Sequence, residues 1–280
     1  MKKVLCMFFS LIFSMSVAYA DGIKVINPYS VGGMAHKTAS YLNTEFPEVF
    51  TEVLKVSNCT EAVKIMESTK EPTIFMWDIL GSAVTSDKTC HVINEENFVS
   101  IYSSAYYSVF ALESNPENNL DKFMNGEAKI GASSASGLLQ KIQMNKMLEG
   151  LESNSKYVPY ASSGDAIAAL EIGEVDFVLT GRAKPHFKAI ITGDPSSNNI
   201  PSMSDYFNNS FSKPGNYLSI LGVNVDKEKV RKYLSKTYED ENWNQTFLGY
   251  NYNLSKMSSK EQFNYMMNDV NAFLSELKSN

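Results

Sequence analysis

Three stretches of this chain join an apolar run, a cluster of small residues and the start of a helical pattern. They are Tyr29-Ser30-Val31-Gly32-Gly33-Met34, Ser133-Ser134-Ala135-Ser136-Gly137 and Ala161-Ser162-Ser163-Gly164-Asp165. None has the look of a nucleophile or a metal cage. Each offers what a small anion needs: unpaired amides at a helix start, the positive end of the helix dipole, and hydroxyl donors. Small residues let a ligand approach the backbone. One such loop is ordinary helix capping; three in one chain point to a shared binding role.

Single side chains add to the set, each with a plainer alternative. Arg182 follows an apolar run and would clamp a second acidic group bidentately, or form a surface ion pair. Trp77 would stack on a planar ligand or fill the core. Asp78, beside it, would bind a ligand amine or cap the next helix. His36 would donate to an anion from the first turn of its helix, or be solvated.

Catalysis finds no constellation. Ser133 lacks the glycine spacing of a nucleophile elbow. His36, His91 and His186 show no metal-type pairing. The reading is therefore a binding protein and not an enzyme, with no metal and no cofactor.

The elements that position these loops alternate. Apolar runs at Ile23–Ile26, Thr73–Trp77, Phe98–Tyr102, Tyr107–Leu112, Lys129–Ala132, Tyr157–Tyr160, Val175–Leu179 and Tyr217–Val223 read as strands. Helical spacing joins Ala35, Ala39, Leu42 and Phe46, and Thr60 is expected to cap a helix bearing Ala62, Val63 and Met66. The last helix carries Phe263, Met266, Met267, Val270, Phe273, Leu274 and Leu277 on one face, behind a Ser258/Glu261 capping box. Such alternation predicts an α/β fold with parallel strands, whose carboxyl ends carry the ligand loops.

The amino end reads as a secretory leader over residues 1–20. Lys2 and Lys3 precede the apolar run Val4–Val17, and Ala18-Tyr19-Ala20 is a small-x-small cleavage site. That run is short for a membrane span. Removing the two lysines takes the formal net charge from −6 to −8. An acidic exported protein is a poor partner for nucleic acid. Cys59 and Cys90 then remain as a lone pair. In an oxidising compartment they read as one disulfide, the alternative being two buried thiols.

The residues from Ile23 to about Gly222 resemble, in order, the substrate-binding proteins of tripartite tricarboxylate transporters. Ile26-Asn27-Pro28-Tyr29-Ser30-Val31-Gly32-Gly33 is similar to that family's Pro-aromatic, Gly-rich first loop. Gly131-Ala132-Ser133-Ser134-Ala135-Ser136-Gly137 is similar to its Gly-Ser-Ser segment. The most specific match is Val158-Pro159-Tyr160, then Gly164 and an Ala-rich helix, then Gly173-Glu174-Val175-Asp176. Two departures mark a divergent member: Met34-Ala35-His36 replaces a Gly and Thr-Asp, and Val56-Ser57-Asn58-Cys59-Thr60 replaces an Asn-Arg-Pro-Gly segment.

The resemblance implies a two-lobed type 2 periplasmic-binding-protein fold with a central ligand cleft. Lobe 1 would comprise 21–104 and 217–280, and lobe 2 would comprise 105–216. Hinges are expected near Ser103–Ala105 and Lys213–Tyr217. It implies a monomer in the periplasm that captures a small carboxylate and delivers it to integral membrane transporter subunits. The rivals are a sensory adaptor docking a membrane receptor, and a binding protein for amino acids or phosphonates. By position it implies Tyr29, Gly32, Gly33, Ser133, Ser134, Ser136, Tyr160 and Gly164 at the cleft, and the residue readings add Met34, Trp77, Asp165 and Arg182.

Overall fold

The computed structural model describes residues 22–29, 31, 33–79, 82, 88–133, 144–145, 147–151, 154–181, 184–194, 197–207, 216–239 and 257–278. The leader, and the expectations for Gly32, Ser134, Ser136 and Arg182, lie outside them.

The chain builds two five-stranded mixed sheets. The first holds β1 (Ile23–Asn27), β2 (Phe50–Lys55), β3 (Thr73–Asp78), β4 (Phe98–Ala105) and β10 (Asn216–Val223) in the order β2-β1-β3-β10-β4. The second holds β5 (Ser108–Leu112), β6 (Lys129–Ser133), β7 (Lys156–Tyr160), β8 (Phe177–Thr180) and β9 (Phe187–Thr192) in the order β7-β6-β8-β5-β9. β1 is parallel to β2 and β3, and β6 is parallel to β7 and β8. β10 runs antiparallel to both its neighbours, as does β5. These two strands are the ones that enter a sheet after a crossing between lobes.

β2 and β9 escape the sequence reading for a physical reason. β2 is an edge strand with Thr51, Glu52, Leu54 and Lys55 exposed, so its apolar signal is thin. β9 is the other sheet's edge, and its run Phe187–Thr192 opens with an exposed lysine, Lys188.

Helices cover the sheets as their apolar faces require. α1 (Met34–Glu45) turns Ala35, Ala39 and Leu42 onto β1, β2 and β3. α2 (Cys59–Ser68) is capped not by Thr60 but by Asn58, whose side chain accepts from the Glu61 N–H. Glu61 reaches back to the Ser57 amide and hydroxyl, so the cap is built two residues upstream of the expected position. Cys59 and Cys90 are disulfide-bonded, with Cα atoms 5.6 Å apart, and tie the start of α2 to a 3-10 turn at Lys88–Cys90. The second sheet carries α3 (Leu120–Asn125) and α4 (Ser163–Glu171), and α5 (Lys227–Glu239) returns to the first.

α6 (Ser259–Lys278) packs on the first sheet through Met266, Val270 and Phe273. Its capping box forms as expected, with Glu261 accepting from the Ser258 amide and hydroxyl at 2.7 Å. Buried Gln262 accepts from the Ile101 N–H at 2.7 Å and from the Ser100 hydroxyl at 3.1 Å, which stitches the helix to β4.

β10 is packed closely enough that one glycine is required. A Cβ on Gly222 would stand 2.5 Å from Val225 Cγ2 and 2.8 Å from Val99 Cγ2. Gly222→Ala is expected to cost about 1–3 kcal/mol through overpacking, read as a lower urea midpoint with an unchanged slope.

The chain crosses between sheets through Tyr106 and Tyr107. Tyr107 O accepts from the Gly193 N–H at 2.9 Å on the second-lobe side. On the first-lobe side Tyr217 donates to Asp269 Oδ2 of α6 at 2.5 Å. Burial, then Tyr265, Asp194 and Asp269, hold the Tyr106 phenol above its usual range.

Candidate functional site at the carboxyl edges of two sheets

The first-lobe half starts from Asn27, the fully buried last residue of β1. Its side chain closes a ring with the next loop: Oδ1 accepts from the Tyr29 N–H at 3.1 Å and Nδ2 donates to Tyr29 O at 3.2 Å. Pro28 between them restricts the backbone, so the loop leaves the strand in one direction. Tyr29 then reaches across to β3, where its hydroxyl accepts from the Asp78 N–H at 2.6 Å. Burial, then the Asp78 charge, push the Tyr29 phenol upward, so it stays a neutral strut between the two strand ends.

Gly33 caps α1 with extended backbone and no side-chain hydrogen bond, and the first turn of α1 contains no acid. Met34 is partly buried against the first core. The amino end of this helix therefore presents its dipole without an internal counter-charge.

Trp77 corrects an expectation. It is fully buried in the second apolar cluster of the first lobe, and its indole N–H donates to Ser82 Oγ at 3.2 Å. The ring serves the core and has no free face for stacking on a ligand.

The second-lobe half is a row of hydroxyls. Register places Tyr160 beside Ser133, Ser133 level with Thr180, Thr180 opposite Ser108, and Ser108 opposite Thr192. The row runs across all five strands, near the carboxyl ends of β6, β7 and β8. Directly paired residues share a sheet face, so the row lies on the face that packs α4. Ser133, Thr180, Ser108 and Thr192 are all buried. Ser108 and Thr192 hydroxyls meet at 2.7 Å, and Thr192 Oγ1 accepts from the Asp194 N–H at 3.0 Å.

Tyr160 departs from the row at its phenol. The ring lies over Gly131, where an added Cβ would meet it at 3.1 Å, and the hydroxyl donates to Glu174 at 2.9 Å. Burial and that carboxylate push its pKa up to about 12. Glu174 lies just before β8, at the sheet's amino end, so the hydroxyl is drawn away from the carboxyl edge.

Gly164 and Asp165 lie in the first turn of α4. Ser162 accepts from the Asp165 N–H at 3.1 Å and donates to Asp165 Oδ2 at 2.8 Å, a reciprocal cap. Asp165 thus brings a negative charge to this helix start. The two helix starts differ: the first turn of α1 has no acid, while that of α4 holds Asp165.

The sequence-predicted residues thus fall into two sets. Tyr29, Gly33 and Met34 gather at the first sheet's edge, and Ser133, Tyr160, Gly164 and Asp165 at the second's. Asn27, Ser108, Thr180 and Thr192 were missed. Asn27, Thr180 and Thr192 share one legible signal, a polar residue closing an apolar run. Among the described residues, no group of three or more His, Cys, Asp or Glu side chains is placed to hold a metal, and no helix is long and apolar enough to cross a membrane.

No family model matches the sequence, and no curated protein matches it. Solved structures do match. The structure of a periplasmic transporter aligns at TM-score 0.69 and 16% identity, covering 93% of this chain and 98% of that one. MatC from Rhodopseudomonas palustris with bound malate aligns at 0.65 and 12%, covering 90% and 97%. The periplasmic binding protein BugD aligns at 0.65 and 14%, covering 92% and 97%. Two mixed sheets flanked by helices, joined by crossings and matched end to end by these structures, give the chain the two-lobed α/β fold of type 2 periplasmic binding proteins.

Proposed function

We propose that this chain is a periplasmic solute-binding protein that captures a small carboxylate between its lobes and hands it to a membrane transporter of the tripartite tricarboxylate type. The observation that carries this reading is the amino end of α1, whose cap residue Gly33 makes no side-chain hydrogen bond and whose first turn has no acid. It stands at the carboxyl edge where open α/β sheets hold ligands. The hydroxyl row of the second lobe lies at the matching carboxyl edge of the other sheet. Malate in MatC and adipate in a second R. palustris protein of the same fold agree with a carboxylate.

In this reading lobe 1 is 21–104 with 217–280 and lobe 2 is 105–216. Closure about Ser103–Ala105 and Lys213–Tyr217 brings the two half-sites together, so ligand shifts an open–closed equilibrium. Gly32, Ser134, Ser136 and Arg182 belong to the proposed site by sequence. The protein acts as a monomer, freed from its leader after residue 20.

A thermal-shift screen against mono-, di- and tricarboxylates, amino acids and phosphonates tests this. A true ligand at about 100 times its Kd stabilises by roughly 2.7 kcal/mol. Stabilisation by amino acids or phosphonates alone would replace the carboxylate, and no response to any of them would overturn capture of these solutes.

A further inference from the structure

The first crossing between the lobes is two residues long. β4 ends at Ala105 and β5 begins at Ser108, so Tyr106 and Tyr107 alone lie between the sheets there. Each side of that crossing is anchored up to its last residue. On the first-lobe side Ala105 is paired with Asn216 and Ser104 with Tyr217, so β4 and β10 run side by side to the edge. α6 holds both strands: Gln262 accepts from the Ile101 N–H, and the Tyr217 hydroxyl donates to Asp269 Oδ2 at 2.5 Å.

On the second-lobe side Tyr107 is buried in that lobe's core, and its carbonyl accepts from the Gly193 N–H at 2.9 Å. Ser108 is already paired with Thr180 and Thr192. Tyr106 is what remains. A hinge takes its φ/ψ change in a few residues at the ends of otherwise rigid elements, and here anchors on both sides reduce those few to one. The side chain of that residue also meets both lobes. Burial, then Tyr265, Asp194 and Asp269, raise its phenol above the usual range, so groups of the first lobe and the second bear on one ring.

We propose that Tyr106 is the pivot of the first crossing, and that the Tyr217–Asp269 bond fixes the first-lobe frame against which it turns. Strand pairing makes Ser103–Ala105 part of the rigid sheet, which narrows the hinge to the next residue. The inference rests on the reading above of two lobes closing on a solute, and it adds where the motion is taken up and what limits it. A residue with a Cβ has few backbone states, and glycine has many more. A tyrosine at the pivot therefore confines the swing of the lobes, and the neighbouring α6 keeps the frame from following it.

Electron-spin distance measurement on purified protein lacking residues 1–20, with no solute added, reads this. Spin-labelled amino acids replace the exposed Lys64 of α2 and the exposed Lys156 of β7, one on each lobe, and leave the Cys59–Cys90 link untouched. Tyr106→Ala removes the ring but keeps the backbone restricted; Tyr106→Gly removes both. The distance distribution is expected to widen from wild type to Tyr106→Ala and again to Tyr106→Gly, the second step reading the backbone alone. Tyr217→Phe keeps the buried ring and deletes its hydroxyl, and Asp269→Asn weakens the same bond from the other partner by removing its charge. Each is expected to widen the distribution with Tyr106 intact.

A Tyr106→Gly distribution no wider than that of Tyr106→Ala overturns the pivot. Wild-type width in both Tyr217→Phe and Asp269→Asn overturns the frame. If a carboxylate in the screen stabilises the protein while all these variants keep the wild-type width, solute capture stands and this hinge falls. If the widths rise as expected while no carboxylate in the screen stabilises the protein, the hinge stands and carboxylate capture as the function falls.

Discussion

Trp77→Ala is expected to lower stability by about 3–5 kcal/mol, the range for truncating a fully buried aromatic. The side chain is completely enclosed on β3, between Phe75 and Ile79, in a cluster that also takes Phe98, Tyr217, Met266 and Phe273. Removing it opens a cavity where the first sheet meets α6 and takes away the indole donor to the Ser82 hydroxyl, which keeps its own bond to the Ile79 carbonyl. Equilibrium urea unfolding gives the loss, and Trp77→Phe should recover a good part of it. Ligand affinity, measured where the variant remains folded, should be close to wild type. A variant of normal stability with affinity reduced tenfold or more would put Trp77 back in the binding site.

Opening the Cys59–Cys90 disulfide ranks next. It closes a loop of 31 residues, and the chain-entropy model assigns such a link roughly 3–4 kcal/mol. Cys90 is fully buried. The Cys59→Ser/Cys90→Ser protein should unfold at a lower urea concentration, and wild type with excess reductant should approach it. Thiol titration of unfolded, unreduced protein lacking residues 1–20 should find no free thiol. Two reactive thiols, or a midpoint indifferent to reductant, would contradict the link.

The fold was legible where local signals agreed. The Ser258/Glu261 box and the stripe of Met266, Val270 and Phe273 announce α6, and the capping pattern survives unchanged in the structure. Legibility fails at sheet edges, because half-exposed β2 has little apolar pattern to read. It fails at the start of α2 too, where Asn58 and Thr60 are both acceptable caps and only the Glu61–Ser57 bonds choose between them.

The site was half legible. Small residues at or after a strand end single out Gly33, Ser133 and Gly164, and the structure puts each at the carboxyl edge of its sheet. The hydroxyl row was hidden because Ser108, Thr180 and Thr192 become neighbours through strand pairing alone, and no local pattern encodes that. Tyr160 shows the opposite failure: its place in the motif is plain, but Glu174 decides where its hydroxyl goes.

The order β2-β1-β3-β10-β4 has a consequence for how the molecule is made. β10 lies between β3 and β4, so nothing joins those two strands into one sheet until residues 216–223 arrive. The second sheet is drawn entirely from 108–192, an uninterrupted stretch that emerges earlier. As the chain is synthesised, that sheet can assemble while the first still lacks an interior strand and its last helix. Long-range closure of this kind is slow, because the entropy of the intervening loop is lost before the pairing rewards it. The lobe at the amino end of the chain is therefore the last to fold, and the nascent protein stays partly unfolded until its final quarter is being made.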